Sequence, residues 1–234
     1  MKKIITMFAV AAVAVSATFA DQVMHALDFS IPFENRSLKV SGDHDDYFDK
    51  LDVSTTGFDF NYDRMAVGDS GFSFIFGIGM GYNSVNLDLD GYDVDTNNYD
   101  LRLKLGWGGS PIHSDKMLLS IHGFTGMDFK AGVGEKSDVD FVFIDYSMPI
   151  GVDAVFAIKL TDTFGLTAGL DIFTNIFSAG LLTSEYEYKE YHSGSYYSSG
   201  YYTTEIETTS DFLSSVFNGF NITPKIGICW ILGD

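Results

Sequence analysis

Apolar and polar residues alternate one by one along much of this chain, which is the spacing of a β-strand. In residues 99–108, YDLRLKLGWG, the odd positions are aromatic or aliphatic and the even positions carry Asp100, Arg102, Lys104 and two glycines. Successive side chains of a strand point to opposite faces of its sheet. Seven more segments alternate in this way: 27–33, 58–62, 72–82, 119–129, 142–154, 166–176 and 220–230. The pattern therefore predicts an all-β fold of eight strands.

The connections between these segments alternate in length. The predicted long connections are 36–53, 88–98, 131–140 and 183–210, and the predicted short turns are 67–71, 109–116 and 161–165. Outer-membrane barrels have short periplasmic turns and longer outer loops. A tilted membrane strand needs about 9–11 residues, which the segments and their flanks supply. We therefore predict an eight-stranded antiparallel up-and-down transmembrane β-barrel.

The first 20 residues have the pattern of a cleavable signal peptide. Two lysines precede an apolar run over 4–15, and the small residues Thr18 and Ala20 precede the expected cut. Removal of the two lysines changes the formal net charge from −18 to −20. The expected division is a signal peptide at 1–20 and a barrel at 21–234, with an uncleaved inner-membrane anchor as the alternative for the first segment.

Alternation alone does not decide which face of the sheet meets water. A soluble periplasmic barrel or sandwich would place its apolar face inside. The polar face here is rich in glycine and aspartate, and aromatic residues flank the apolar faces as in the girdles of membrane barrels: Tyr62, Tyr82, Tyr99, Trp107 and Trp230. We therefore place the polar face inside. The predicted interior charges that also form a candidate solute path are Asp28, Asp59, Arg102, Lys104, Asp128, Asp145, Asp153, Asp171 and Lys225. The alternation also places Asp63 and Lys159 inside.

The excess of acidic residues limits the partners. The chain has 32 acidic and 14 basic residues, which argues against nucleic acid because phosphates attract Lys and Arg. Much of the negative charge falls in the predicted long connections. One of them, DLDGYDVD, is a candidate Ca²⁺ site, since hard cations bind clustered carboxylate oxygens. Its spacing is not that of an EF-hand loop, and we expect no other cofactor. Its candidate ligands are Asp88, Asp90, Asp93 and Asp95.

The longest predicted connection, 183–210, is interpreted as a hairpin with a Ser/Gly tip. Tyrosine combined with Ser and Gly is typical of adaptable protein-binding surfaces. The candidate contact residues for an extracellular protein partner are Tyr186, Tyr188, Tyr191, Tyr196, Tyr197, Tyr201 and Tyr202.

No catalytic pattern is found. The chain lacks a G-x-S-x-G motif, and its five histidines show no spacing typical of a hydrolase. The single cysteine, Cys229, excludes a disulfide framework. We therefore expect a protein that is not an enzyme.

The mature chain resembles small eight-stranded outer-membrane barrels of the OmpW-like and OmpX-like group. Residues 27–34, LDFSIPFE, and 146–170, YSMPIGVDAVFAIKLTDTFGLTAGL, are similar to a treponemal-type family of outer-membrane proteins of unknown function. The resemblance implies a barrel in outer-membrane lipid, with loops at the cell surface that serve in host contact or solute uptake. It implies no catalytic residue and no particular oligomeric state.

Three functions are compatible with these sequence features. The first is a non-catalytic surface protein for contact, adhesion or envelope integrity. The alternatives are a channel for small or hydrophobic solutes and a soluble periplasmic β protein.

Overall fold

The computed structural model describes residues 22–42, 49–89, 92–192 and 201–233. No helix in these ranges is long and apolar enough to cross a membrane. All regular structure in this part of the chain is β, and every strand pairing is antiparallel. The strands are β1 (Gln22–Ser30), β2 (Phe33–Gly42), β3 (Lys50–Val67), β4 (Phe72–Leu89), β5 (Tyr92–His113), β6 (Met117–Lys136), β7 (Val139–Lys159), β8 (Phe164–His192) and β9 (Tyr201–Gly233).

The nine strands close into a ring. From β3 to β9 each strand pairs with the next, and β1 and β2 both lie between β3 and β9. Ser30 pairs with Asp59 and Phe33 pairs with Thr56. The register against β3 is therefore the same for β1 and β2, with no bulge between them. Pro32 interrupts them because proline has no backbone N–H to donate. β1 and β2 therefore occupy one place in the ring.

The register of the pairs gives the stagger of the ring. A path of directly paired residues starts on β1 and returns to β2 ten residues further along the chain. It runs through Ser30, Asp59, Gly81, Asp100, Lys130, Asp145, Gly180, Leu213 and Val40. A closed barrel needs such a stagger, and strands in barrels tilt by about 40° from the axis.

Several strands extend beyond the segments predicted from the sequence. β4 continues to Leu89 and β5 begins at Tyr92, so most of the predicted connection 88–98 is strand. Likewise β6 and β7 are joined by a two-residue turn at Ser137 and Asp138, whose φ angles of 54° and 64° are left-handed. The extensions of β4 and β5 keep the period-two alternation, with Val85, Leu87, Val94 and Thr96 buried on the inward face.

The alternation places the charged residues inside the ring and the apolar residues outside. Asp145 and Asp153 are fully buried, whereas Phe60 is 60% and Met80 is 63% exposed. This is the reverse of the arrangement in a water-soluble protein, where isolated charges are almost never fully buried.

Candidate functional site: the barrel interior and the projecting hairpin

Two apolar clusters close the interior, one at each end. We call the end with the connections β4–β5, β6–β7 and β8–β9 the hairpin end, and the other the turn end. The hairpin-end cluster consists of Leu38, Val40, Leu51, Val53, Val85, Leu87, Val94, Phe141, Phe143, Leu182 and Leu213. The turn-end cluster consists of Met24, Ala26, Met65, Val67, Ile75, Leu118, Val155, Ala157 and Cys229. The charged residues are thus enclosed between two apolar layers.

A lower ionic cluster lies next to the turn-end cluster. Lys104 Nζ is 3.1 Å from Asp63 Oδ2 and 2.9 Å from Asp153 Oδ2. Lys225 Nζ is 2.9 Å from Asp153 Oδ1 and 2.9 Å from Asp171 Oδ1. Asp153 is therefore shared by both ammonium groups, and the cluster acts as one unit.

An upper ionic cluster lies towards the hairpin end. The Arg102 guanidinium is 2.9 Å from Glu34 Oε1 and 3.2 Å from Asp128 Oδ2. Lys130 also donates to Glu34, on its other carboxylate oxygen. Arg36, fully buried, is 2.7 Å from Asp145. Hydrogen bonds to ionised groups are about twice as strong as neutral ones, so these contacts fix strands that are far apart in sequence.

An aromatic pair accompanies the two ionic clusters. The rings of Phe124 and Phe173 are 6.0 Å apart, with an edge-to-face arrangement. Arg102 lies 5.4 Å from the centre of the Phe173 ring, and Lys104 lies 5.9 Å from that of Phe124. Both distances fall within the range of a cation–π contact. The pair thus contacts one cation of each cluster.

Carboxylates outnumber cations in this interior. Among the described residues, ten buried acidic residues face five buried lysines and arginines. Four of the five cations contact more than one carboxylate. Several carboxylate oxygens, such as Asp63 Oδ1 and Asp100 Oδ1, have no hydrogen-bond partner. Loss of any one of these four cations would therefore remove an ion-pair partner from more than one carboxylate.

The nine charges of the candidate solute path are buried, as is Asp63, whereas Lys159 is only half-buried at the turn end. The structure adds Glu34, Arg36, Asp100, Lys130 and Asp211, which were not among the predicted interior charges. The alternation already carried their signal: Glu34 and Arg36 continue the inward face beyond Pro32, and Lys130 continues it beyond Asp128.

A serine–histidine pair lies at the turn end of the interior. Ser73 Oγ is 2.9 Å from His122 Nε2, and both side chains are fully buried. His122 Nδ1 has no hydrogen-bond partner. A nucleophilic serine needs a histidine that a third group orients, together with access for a substrate. The pair has neither, and we interpret it as part of the packing.

Three of the four candidate calcium ligands, Asp88, Asp93 and Asp95, lie on the outward face near the β4–β5 connection. Asp88 pairs with Asp93 across the hairpin, and Asn86 donates to Asp95 Oδ1 at 3.0 Å. Asp90 lies outside the described residues. No group of three or more His, Cys, Asp or Glu suited to a metal ion is found among the residues that the structure covers. Calcium binding stays a prediction.

The β8–β9 hairpin projects beyond the rest of the ring. The last pair between β7 and β8 is Val139 with Tyr186, but β8 and β9 remain paired as far as His192 with Tyr201. Six residues of β8, 187–192, thus extend by about 20 Å at 3.3 Å per residue. Tyr186 donates a hydrogen bond to Glu207 at 2.5 Å. The side chains of Tyr188, Tyr191, Tyr201 and Tyr202, and all of Tyr196 and Tyr197, lie outside the described part of the chain.

Aromatic residues flank the apolar outer surface at both ends. Towards the turn end, His25 stacks on Trp230 with ring centres 5.6 Å apart, and its Nδ1 is 2.7 Å from the Tyr62 hydroxyl. Towards the hairpin end, Tyr82 and Tyr99 pack edge to face at 5.4 Å. Amphipathic rings in these positions are typical of a membrane–water interface.

The comparisons with known proteins concern the fold. No protein-family model matches the chain, and no curated protein matches it in sequence. The outer membrane protein OprG from Pseudomonas aeruginosa is similar in structure, with a TM-score of 0.58 and 8% identity over 92% of this chain and 98% of that one. A major outer membrane protein from Thermus thermophilus has a TM-score of 0.52 and 10% identity over 88% of this chain and 99% of that one. The fold is thus of the outer-membrane barrel type.

Proposed function

We propose that this chain is an eight-stranded barrel of an outer membrane, with its hairpin end at the cell surface. The single place shared by β1 and β2, the stagger of ten residues and the reversed distribution of polarity support the proposal. On β5 the aromatic residues Tyr99 and Trp107 are eight positions apart, which is about 26 Å of strand and about 20 Å along the axis at this tilt. A membrane barrel has an apolar band about 25 Å tall.

The proposed role is non-catalytic contact with an extracellular protein through the β8–β9 hairpin. The observation that carries this proposal is the combination of a closed interior with one hairpin that extends beyond all its neighbours. A two-stranded ribbon is only marginally stable alone, so a projecting ribbon anchored on a rigid barrel suits a binding element. Because this segment is acidic and rich in tyrosine, the partner it would bind has a surface with basic and hydrogen-bonding groups.

The test is removal of the projecting ribbon. A variant in which 187–206 is replaced by a two-residue turn should fold normally, because β7 and β8 pair only up to Tyr186. Cells that display it should lose binding to host-cell or matrix proteins. The control exchanges the two residues of the β6–β7 turn, Ser137→Asn and Asp138→Gly, which suit its left-handed φ angles and leave its length unchanged. Equal binding by both variants would contradict the proposed role.

The second candidate is a channel for small solutes, and the observation that favours it is the charged interior. In the closed ring both ends are blocked by apolar side chains. A channel would carry current in planar bilayers, and Lys104→Gln would change its ion selectivity. A contact protein would show no current above that of the empty bilayer. Recordings from the refolded protein therefore separate the two candidates.

A further inference from the structure

We propose that the outward face of β2 binds one anionic phospholipid, whose phosphate lies between Lys39 and Lys50. This site goes beyond the proposed contact function and does not depend on the hairpin. It is located where β2 meets β9, which is the most irregular pairing in the ring.

The irregularity comes from extra residues in β9. Asn35 pairs with Phe220 and Lys39 with Ser214, so six positions of β9 lie opposite four positions of β2. The β9 chain accommodates them with left-handed residues at Phe217 (φ 50°) and Gly219 (φ 83°). Such a bulge bends its strand and interrupts the backbone pairing.

Side-chain amides replace the lost backbone pairing. The backbone N–H of Asn35 donates to Asn221 Oδ1, and that of Ser37 donates to Asn218 Oδ1, both at 3.2 Å. The strands are therefore held apart at this point without leaving those N–H groups unsatisfied.

Two hollows follow one another along the outward face of β2 beside this bulge, and together we call them the groove. The lower part, about 400 Å³, lies between the apolar side chains of Phe33, Phe220 and Ile222 and the short side chains of β3. The upper part, about 570 Å³, is lined by Ser37, Val216, the two lysines and Asp49. The lower part is thus mainly apolar, and the upper part carries two ammonium groups and one carboxylate.

The two lysines are an unexpected pair on this surface. Lys39 and Lys50 lie directly opposite each other on β2 and β3 and both are exposed. Like charges directly opposite in a sheet are destabilising. Within the described part of the chain neither lysine forms an ion pair, although Asp49 also lines the groove and Asp52 lies on the same outward face. An anion between them would remove the repulsion.

A phospholipid would use both parts of the groove, with its phosphate at the lysines and its acyl chain against the apolar wall. Each lysine near a membrane surface contributes about 1 kcal/mol to the attraction of an anionic lipid, which is about fivefold in affinity. An acyl chain in the lower part would be buried against Phe33 and Phe220. A free phosphate would use only the lysines, and a neutral amphiphile only the apolar wall.

The experiment measures lipid retention by native mass spectrometry of the refolded full chain in detergent. Phosphatidylglycerol is titrated against phosphatidylcholine, with and without inorganic phosphate as competitor. The variant Lys39→Gln/Lys50→Gln removes the charge, and the matched control Lys116→Gln/Lys159→Gln removes two neighbouring lysines at the turn end. A third variant, Ser37→Trp, fills the groove without changing the charge. The heat-dependent gel shift of each variant verifies that the barrel is folded.

We expect one tightly retained phosphatidylglycerol per barrel. Its affinity should fall about 30-fold in Lys39→Gln/Lys50→Gln, stay within twofold in the control, and fall in Ser37→Trp. Equal retention of the two lipids, or unchanged retention in the lysine variant, would overturn the proposal. Complete displacement by millimolar inorganic phosphate would also overturn it, since the site would then be one for free anions. Loss of the lipid site would leave the hairpin proposal untouched.

Discussion

The substitution Lys225→Met tests whether the barrel interior is dry. Lys225 Nζ contacts Asp153 and Asp171 at 2.9 Å each and Asp63 at 3.6 Å, and its side chain is 2% exposed. Methionine fills nearly the same volume but leaves these carboxylates with Lys104 as their remaining ammonium group. Loss of one partner from a buried ion pair costs about 3–5 kcal/mol, because an uncompensated charge remains in a region of low polarity.

The assay is urea unfolding of the refolded protein in lipid vesicles, followed by tryptophan fluorescence. With a slope of about 2–3 kcal/mol per molar urea, the expected loss lowers the midpoint by about 1–2.5 M. The control Lys116→Met, at an exposed position before β6, should change the midpoint very little, since surface substitutions are usually within about 0.5 kcal/mol. The double variant Lys225→Met/Asp171→Asn should recover about 1–3 kcal/mol, since it removes one of the uncompensated charges.

A loss below about 1 kcal/mol for Lys225→Met would refute the reasoning. Such a value is that of a solvent-exposed ion pair. It would mean that water reaches the lower ionic cluster, and the channel candidate would gain support. A full loss for Lys225→Met with no recovery in the double variant would instead locate the effect in packing rather than in charge.

Three further predictions address the walls of the barrel and its interior. Gly77→Val should destabilise the protein by about 1–3 kcal/mol in the same unfolding assay, because the added Cβ would collide with the carboxylate of Asp63 on β3. The control Gly123→Val has open space around its Cβ and should be tolerated. Trp107, 60% exposed, should be quenched by brominated acyl chains in vesicles, and an absence of quenching would contradict its place facing lipid. Ser73→Ala should lower the free energy of unfolding by about 1–2 kcal/mol, because His122 loses its hydrogen-bond partner. In the wild-type protein Ser73 should not react with a fluorophosphonate probe, and labelling would favour an enzyme.

The period-two pattern predicted the location of most strands because it records which side of a sheet each residue occupies. It predicted the inward position of Lys104 and Asp153 from their own strands alone. It did not predict their contact, since the register between strands depends on the closure of the whole ring. The extra length of β4 and β5 was missed because Asp, Asn and Thr were interpreted as loop residues. On the outward face of strands beyond the apolar band, such residues are compatible with a sheet.

Other features had a weaker local signal. Phe124 and Phe173 fall on the same inward faces as His122 and Asp171, but an aromatic residue on a polar face does not indicate what it contacts. Their contact depends on the pairing of β6, β7 and β8, which the alternation does not give. The hairpin-end cluster was not predicted either. Leu38, Val53 and Val94 fall in segments predicted to be connections, so the sequence did not indicate that their side chains lie inside the barrel.

The meeting of the first and last strands sets an order of events during biogenesis. Until β9 has been made, β1 and β2 have only β3 as a neighbour, and the concave side of the incomplete sheet presents its carboxylates and ammonium groups. An open sheet of this kind cannot enter hydrocarbon, because unpaired edges and uncovered charges are each expensive there. Closure and insertion must therefore occur together. One of the two pairings that close the ring, that of β2 with β9, also contains the bulge and the side-chain amide bonds. We expect its amide protons to exchange first, and the ring to open there if it opens at all.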